Sequence, residues 1–201
     1  NYMFRGVTLS DDKPAISGGI DWAHDSGFYL GTWTSNIDGP KDPTTGEGFG
    51  NIEIDFYGGF AGDMNDVGYD VGYVYYAYPD AVGDAAYGEI YGTLSWKFLS
   101  GGLYYTSNAE ASSGAYTKGD IYGFVGASFD LPQGFTAGLT YGYTWFDDDG
   151  DVGIGDLNYG HFQVDVGKSA GDFGDFTFSV SYADSPADDE LRPYVSWSKS
   201  F

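Results

Sequence analysis

The sequence has no cysteine and few basic residues. Without cysteine, a disulfide framework and a thiolate-based zinc or redox site are excluded. Eight Lys and Arg residues stand against 30 Asp and Glu residues, and the formal net charge is −22. This balance excludes a nucleic-acid partner, because neutralising phosphate groups needs a basic surface. It favours cationic partners instead.

Long apolar runs are also absent. The longest stretch without a charged residue has sixteen residues, from Leu131 to Phe146, and glycine and threonine interrupt it. A membrane helix needs about 18 predominantly apolar residues in succession. If the chain crosses a membrane, it therefore does so with the strands of a barrel. The 33 Gly residues disfavour helices, whereas the 19 Tyr and 15 Phe residues favour strands.

Apolar and polar residues alternate along many segments of the chain. Alternation is clearest over residues 52–60, 88–98 and 135–146. These segments are about as long as the 9 to 11 residues that a tilted membrane strand needs. Further segments bring the predicted total to twelve strands, and they are residues 1–8, 15–23, 28–37, 69–78, 102–109, 121–129, 162–166, 176–182 and 192–201.

Short and long connections alternate between these segments. The predicted short turns are His24–Gly27, Gly62–Gly68, Ser100–Gly102, Pro132–Gly134 and Ala170–Asp175. The longer connections are Asp38–Gly48, Tyr78–Ala86, Glu110–Thr117, Asp147–Leu157 and Asp184–Leu191. Outer-membrane barrels have short periplasmic turns and longer outer loops. We therefore predict one all-β domain over residues 1–201, a transmembrane antiparallel β-barrel of about twelve strands with a processed or incomplete N-terminus.

If the apolar face of each strand meets lipid, the alternate face lines the lumen. The residues predicted there are Arg5, Asp21, Glu53, Asp55, Asp70, Glu89, Lys97, Asp120, Asp130, His161, Asp165 and Arg192. Acids outnumber bases in this set, so the lumen would favour cations, with Glu53, Asp55 and Glu89 in the clearest strands as the main contributors. The alternative is that the acids pair with bases and tyrosine hydroxyls and fill a nearly closed lumen.

An acidic loop resembles a calcium-binding loop only in part. Asp147, Asp149 and Asp151 alternate as ligands would, but Val152 and Asn158 replace the glycine and glutamate of that motif. We interpret the segment as a solvated outer loop that recruits divalent ions weakly and bridges to lipopolysaccharide, with specific calcium binding as the alternative. No other cofactor is predicted.

An enzymatic function lacks its catalytic groups. His24 and His161 are the only imidazoles, and no serine in a recognisable nucleophile motif can be placed beside His161. We therefore predict that the protein is not an enzyme.

The C-terminal segment alternates and ends in an aromatic residue. Val195, Trp197 and Phe201 share one face of residues 193–201, and Lys199 interrupts the apolar series. A terminal Phe on such a strand resembles the signal by which the barrel assembly machinery recognises outer-membrane proteins. This predicts that machinery as a partner and the outer membrane as the location.

Several segments resemble the TorF porin family, also called Gcw_chp. They are residues 1–10 (NYMFRGVTLS), 14–22 (PAISGGIDW), 31–38 (GTWTSNID) and 53–59 (EIDFYGG), with a looser likeness at Phe201. The resemblance implies a proteobacterial outer-membrane barrel with a porin role and assigns no site residues. Family members show a few strand residues before the Tyr2–Gly6 stretch, which agrees with an incomplete N-terminus.

Three functions fit these patterns. The first is a porin for passive diffusion of small hydrophilic solutes, cationic or neutral, within outer-membrane lipid and lipopolysaccharide. The second is a structural or adhesive barrel that acts through its acidic loops. The third, a soluble β-sandwich that binds a ligand, explains the alternation but not the rhythm of the connections. Homo-oligomer formation stays open.

Overall fold

The chain forms a short hairpin followed by one large sheet. The computed structural model describes residues 1–38, 50–112, 114–147, 157–186 and 188–201. The hairpin consists of β1 (Met3–Phe4) and β2 (Val7–Thr8). The strands of the sheet are β3 (Ser17–Ala23), β4 (Phe28–Asn36), β5 (Ile52–Met64), β6 (Val67–Ala77), β7 (Tyr87–Trp96), β8 (Leu99–Ala109), β9 (Ile121–Leu131), β10 (Phe135–Trp145), β11 (Tyr159–Ser169), β12 (Asp175–Ala183) and β13 (Arg192–Ser198).

Each strand of this sheet pairs antiparallel with its neighbours in sequence, from β3 to β13. Two 3₁₀ turns, Pro132–Gly134 and Gly171–Phe173, lie in connections. Among the described residues, no helix is long and apolar enough to cross a membrane. The predicted all-β barrel is confirmed, and eleven of the twelve predicted strands lie in this sheet.

Burial along the strands is the reverse of that in a water-soluble protein. Phe56 and Leu139 are 54% and 52% exposed, whereas Glu53 and Glu89 are 1% exposed. A soluble domain buries its large apolar side chains and keeps charges outside. The apolar face of the sheet therefore points outward, toward lipid in a membrane barrel, and the polar face points into the lumen.

Aromatic side chains lie on the outer face near both ends of the strands. Near the short turns, the rings of Phe98 and Phe129 stack with their centroids 5.2 Å apart. Near the long loops, Tyr141 lies opposite Phe162 on the neighbouring strand. Between these levels the exposed outer side chains are mostly aliphatic, and they include Leu103, Val125, Leu139 and Val164. Such aromatic bands mark the two membrane interfaces of a barrel.

Short turns gather at one end of the sheet and long loops at the other, as the sequence predicts. We call these the turn end and the loop end. The predicted turn Gly62–Gly68 is correctly located but shorter than predicted, because β5 and β6 turn at Asn65–Asp66. The predicted turn Ser100–Gly102 is misplaced, because β7 and β8 turn at Lys97–Phe98. Asn65 and Lys97 adopt the positive φ angles (57° and 54°) that these tight turns need.

Glycines 101 and 102 lie inside β8 rather than in a turn. A Cβ atom on Gly102 would lie 2.7 Å from the Thr93 side chain and 2.8 Å from the Phe124 ring. These glycines are needed because neighbouring side chains approach the strand closely. The sequence analysis interpreted them as residues of a turn.

The first predicted strand, residues 1–8, is not part of the wall. It forms the separate β1–β2 hairpin, which turns at Arg5 and Gly6 with φ angles of 48° and 88°. A Cβ atom on Gly6 would lie 2.4 Å from the Cβ atom of His161 on β11. The hairpin also contacts β5, β7 and β9, so the wall surrounds it and it occupies the lumen.

The two faces of the wall should respond differently to charge. Leu139→Arg places a charge on the outer face between the aromatic bands and should destabilise the folded barrel by about 2 to 4 kcal/mol. Thr140→Arg, the next residue on the lumen face, should cost much less because its guanidinium reaches water. Urea unfolding in lipid vesicles measures both. Equal costs would show that the faces are wrongly assigned.

Candidate functional site in the barrel lumen

The turn-end half of the lumen carries a belt of tyrosines and aspartates. Tyr29 on β4 donates a hydrogen bond to Asp70 on β6 at 2.7 Å, and its hydroxyl also contacts that of Tyr91 on β7. Tyr57 on β5 donates to Asp21 on β3. Because side chains alternate along each strand, these residues all belong to the inward face. The belt is polar, and its carboxylates, Asp70 and Asp21, lie on the lumen surface.

A second polar group lies on the inward face of β11, β12 and β13, toward the other edge of the sheet. Asp165 on β11 accepts a hydrogen bond from Ser179 on β12 at 2.6 Å and another from Gln163 at 2.9 Å. Tyr194 on β13 donates to the Gln163 side-chain oxygen at 3.0 Å. Asp165 therefore adds a third carboxylate to the turn-end half of the lumen.

Basic side chains are absent from this half of the lumen in the part of the chain that the structure describes. The described strands carry one lysine and one arginine, Lys168 and Arg192. Lys168 lies on the outward face of β11, because its position alternates with those of the inward residues. Its amine donates a hydrogen bond to the Gln133 carbonyl in a turn. Arg192 begins β13 at the loop end. The excess of negative charge in the turn-end half is therefore not compensated from the wall.

A recess opens on the lumen side of β5 to β7. Its volume is about 380 Å³, and its lining residues include Asp63, Asp70, Thr93 and Ser95. All four can bind water or a small polar solute through oxygen atoms. The turn-end half thus contains open, polar space.

The loop-end half of the lumen is filled by the N-terminal hairpin. The Arg5 guanidinium makes two hydrogen bonds to the Glu89 carboxylate, at 2.9 and 2.6 Å. It also lies over the ring of Tyr122, 4.2 Å from the centroid. Both side chains of the ion pair are almost completely buried, at 6% and 1% exposed. The bidentate pair fixes the tip of the hairpin to the wall.

Further contacts attach the hairpin to other parts of the wall. Tyr2 donates a hydrogen bond to Glu53 on β5 at 2.6 Å, and the Thr8 backbone N–H donates to Asp188 in the β12–β13 loop at 2.9 Å. Asp55, next inward on β5, is 8% exposed. Glu53, Asp55 and Glu89 therefore lie behind or against the hairpin. The structure does not leave them on an open lumen surface.

Three other predicted lumen residues form hydrogen bonds or ion pairs that stabilise the loop end. Asp120 accepts backbone hydrogen bonds from Thr117 and Asp147 at 2.8 and 2.9 Å, which joins two loops. His161 is buried and shares a hydrogen bond of 2.9 Å with the Tyr122 hydroxyl. Arg192 pairs with Asp188 in the β12–β13 loop.

Two predicted lumen residues lie at the turn end of the wall. Asp130 is exposed near the end of β9, and Lys97 lies in the β7–β8 turn with its amine 4.4 Å from the Trp96 ring centroid. For Lys97 the lumen assignment is wrong, because the chain reverses at this residue instead of continuing as a strand.

The outer loops show one well-defined acidic contact. Asp80 in the β6–β7 loop accepts hydrogen bonds from the side chain and backbone of Asn51, both at 2.9 Å. These bonds, the side-chain bond foremost, lower the pKa of the Asp80 carboxyl. Tyr78 at the base of the same loop is buried, and this burial, followed by the neighbouring Glu53 charge, raises the pKa of its hydroxyl well above the ordinary value.

The acidic loop with Asp147, Asp149 and Asp151 is described only at its first member. Asp149 and Asp151 lie outside the described residues. Over the described ranges, the structure brings no three His, Asp or Glu side chains into a group that could hold a metal ion. Calcium binding by this loop stays a prediction.

Sequence reasoning did not identify the tyrosines of the lumen or the role of the hairpin. Tyr29, Tyr57 and Tyr91 alternate with apolar residues on their strands, so their inward position could have been deduced from the same period of two. The pairing of Arg5 with Glu89 joins residues 84 positions apart, and no local pattern indicates it.

An antiparallel meander with an apolar outer face and a polar interior defines a transmembrane β-barrel. The particular family follows from its sequence: the model for a family described as bacterial protein of unknown function (Gcw_chp) matches residues 1–200. The chain belongs to this family, which confirms the resemblance seen in its motifs. No curated protein matches the chain.

Two solved structures are similar to this one. The KdgM porin superposes with a TM-score of 0.60 over 92% of each chain, at 10% sequence identity. A porin refined at 1.8 Å resolution gives a TM-score of 0.42 over 89% of this chain and 60% of that chain, at 16% identity. At such identity the first of these similarities shows the barrel fold alone.

Proposed function

We propose that the protein is an outer-membrane porin for passive diffusion of small hydrophilic solutes. The observation that carries this proposal is the contrast between the apolar outer face and the open, polar turn-end half of the lumen. A barrel that only anchored its loops would need no uncompensated carboxylates or water-accessible recess inside. The fold shared with the KdgM porin supports the proposal.

We propose further that the pore prefers cations. The acids that would set this preference are Asp21, Asp70 and Asp165, and support for this choice comes from their hydrogen-bond partners, which are tyrosine and serine hydroxyls rather than basic side chains. Glu89 contributes less than the sequence indicates, because Arg5 compensates its charge. Fixed negative charge along a narrow lumen raises the local concentration of cations and repels anions.

The experiment that tests both proposals is ion conductance in a planar lipid bilayer under a salt gradient. The wild-type reversal potential should have the sign for cations, and the triple variant Asp21→Asn, Asp70→Asn and Asp165→Asn should bring it closer to zero. The difference should shrink in concentrated salt, where the Debye length falls to about 3 Å at 1 M.

A matched control removes three acids outside the lumen. Asp25, Asp84 and Asp172 are exposed in turns and loops, so Asp→Asn changes there alter net charge equally but should leave the reversal potential unchanged. An anion-selective wild type would contradict the charge assignment while leaving a porin. Equal effects of the two triple variants would attribute selectivity to overall charge.

A second candidate function is a structural or adhesive barrel acting through its acidic loops. The filled loop-end half of the lumen favours it, because small barrels can be packed by side chains. The same bilayer experiment separates the two candidates. Absence of conductance, both in the wild type and after the hairpin is replaced, would support the structural barrel.

A further inference from the structure

Two buried carboxylates lie side by side on the lumen face of β5. Glu53 is 1% exposed and Asp55 is 8% exposed. Because successive side chains of a strand alternate between its faces, these two point to the same face, with their Cα atoms about 6.6 Å apart. Both follow closely on Ile52, the first residue of β5 at the loop end. The pair therefore lies near the loop end and is shielded from water.

The pair has too few partners for two buried negative charges. Glu53 Oε1 accepts a hydrogen bond from the Tyr2 hydroxyl at 2.6 Å, and the Tyr78 hydroxyl also bonds to Glu53. Glu53 Oε2 and Asp55 Oδ1, however, are buried and accept no hydrogen bond from any described residue. Within the described ranges, no lysine or arginine forms an ion pair with either carboxylate. Buried charges in proteins are paired or coordinate a metal ion.

Glu89 provides a comparison within the same lumen. It is as deeply buried as Glu53, at 1% exposed, but both of its carboxylate oxygens accept hydrogen bonds from the Arg5 guanidinium. The basic residue of the hairpin is thus committed to β7 and does not neutralise the acids of β5. Glu53 and Asp55 need a cation from another source.

The N-terminal hairpin and several aromatic rings close the space around the pair. The Tyr2 ring packs edge-on against Trp33, with the centroids 5.2 Å apart. Trp33 on β4 and Tyr76 on β6 are the residues opposite Asp55. Carboxylate oxygens and aromatic faces both attract cations. Because Tyr76 is buried as well, the surroundings are closely packed and suit a single ion rather than an organic cation.

We propose that Glu53 and Asp55 together bind one divalent cation of the calcium type, which holds the N-terminal hairpin against β5. A divalent charge balances the two carboxylates. Calcium–oxygen bonds of about 2.3 to 2.6 Å allow one ion to bridge oxygens about 5 Å apart, a spacing that neighbouring side chains on one strand face can reach. Calcium takes about six to eight oxygen ligands, so hydroxyl and water oxygens would complete the shell. The inference concerns the junction of hairpin and wall and is independent of conductance.

Calcium binding to the chelator-treated protein in detergent tests this proposal. Equilibrium dialysis with radioactive calcium should show one ion fewer per chain in Asp55→Asn than in the wild type. Added calcium should raise the temperature at which the wild-type barrel unfolds, and the rise should grow with calcium concentration because the site exists only in the folded form. Asp55→Asn and Glu53→Gln, which preserve the shapes of the side chains, should both lose this rise. The mobility difference between unheated and boiled samples on a gel verifies that each variant is folded.

Two controls separate this site from other effects of calcium. The triple variant Asp147→Asn, Asp149→Asn and Asp151→Asn removes carboxylates of the acidic outer loop and should still show the rise. Sodium chloride at equal ionic strength should not reproduce it.

Three results would overturn the proposal. If the loop variant loses the rise while Asp55→Asn keeps it, calcium binds the loop. If sodium chloride gives the same rise, the effect is screening of the net negative charge. If calcium has no effect but acidification stabilises the wild type and not Asp55→Asn, the pair holds a proton instead of a metal ion.

Discussion

Replacing the hairpin residues Tyr2–Thr8 by a Gly-Ser linker of equal length should raise single-channel conductance several-fold. The hairpin fills the loop-end half of the lumen, whereas the turn-end half contains open polar space. Conductance is limited by the narrowest section of a pore, so removing the ordered obstruction should have a large effect. Planar bilayer recordings of the wild type and the linker variant measure it directly.

A reversible restraint separates obstruction from general damage to the fold. Thr8 and Asp188 approach closely, because the Thr8 N–H donates to the Asp188 carboxylate at 2.9 Å. The double variant Thr8→Cys and Asp188→Cys should hold the hairpin in place when oxidised and conduct like the wild type, and reduction, which leaves the hairpin without this contact, should raise the conductance. If the linker variant conducts no better than the wild type, the hairpin is not the constriction.

The wall of the barrel is predictable from sequence because lipid and lumen impose a strict period of two. In β5 and β10 the large apolar residues fall on one face, and the structure forms a strand over both predicted segments, with β5 continuing to Met64 beyond the predicted end at residue 60. The alternation of short and long connections predicts which strand ends lie at the turn end and which lie at the loop end. These signals are local, so one sequence is enough to detect them.

The hairpin shows where this reasoning fails. Residues 1–8 alternate much like a wall strand, but Arg5 and Gly6 adopt positive φ angles and reverse the chain. What places the hairpin inside is a set of long-range contacts, chiefly Arg5 with Glu89 and Gly6 against His161. An ion pair between distant residues produces no periodic pattern in the sequence. The sequence therefore predicts which residues lie on the lumen face, but not which of them contact each other.

Arg5→Met should destabilise the folded barrel by about 3 to 5 kcal/mol, since it leaves the Glu89 carboxylate buried and unpaired. The double variant Arg5→Met with Glu89→Gln should recover a large part of that loss, because the buried charge is then removed. Arg5→Lys should fall between them, since an ammonium keeps the charge but cannot form both hydrogen bonds of the guanidinium. Urea unfolding in lipid vesicles gives all three values.

An exposed ion pair of the same N-terminal segment provides the matched control. Lys13 pairs with Asp38, and its side chain is 57% exposed. Lys13→Met should therefore change stability far less than Arg5→Met does. Equal losses for Arg5→Met and Lys13→Met would contradict burial as the cause. If Arg5→Met lowered stability without raising conductance, the ion pair would stabilise the wall while the remaining hairpin contacts still closed the lumen, and the two roles of this segment would be separable.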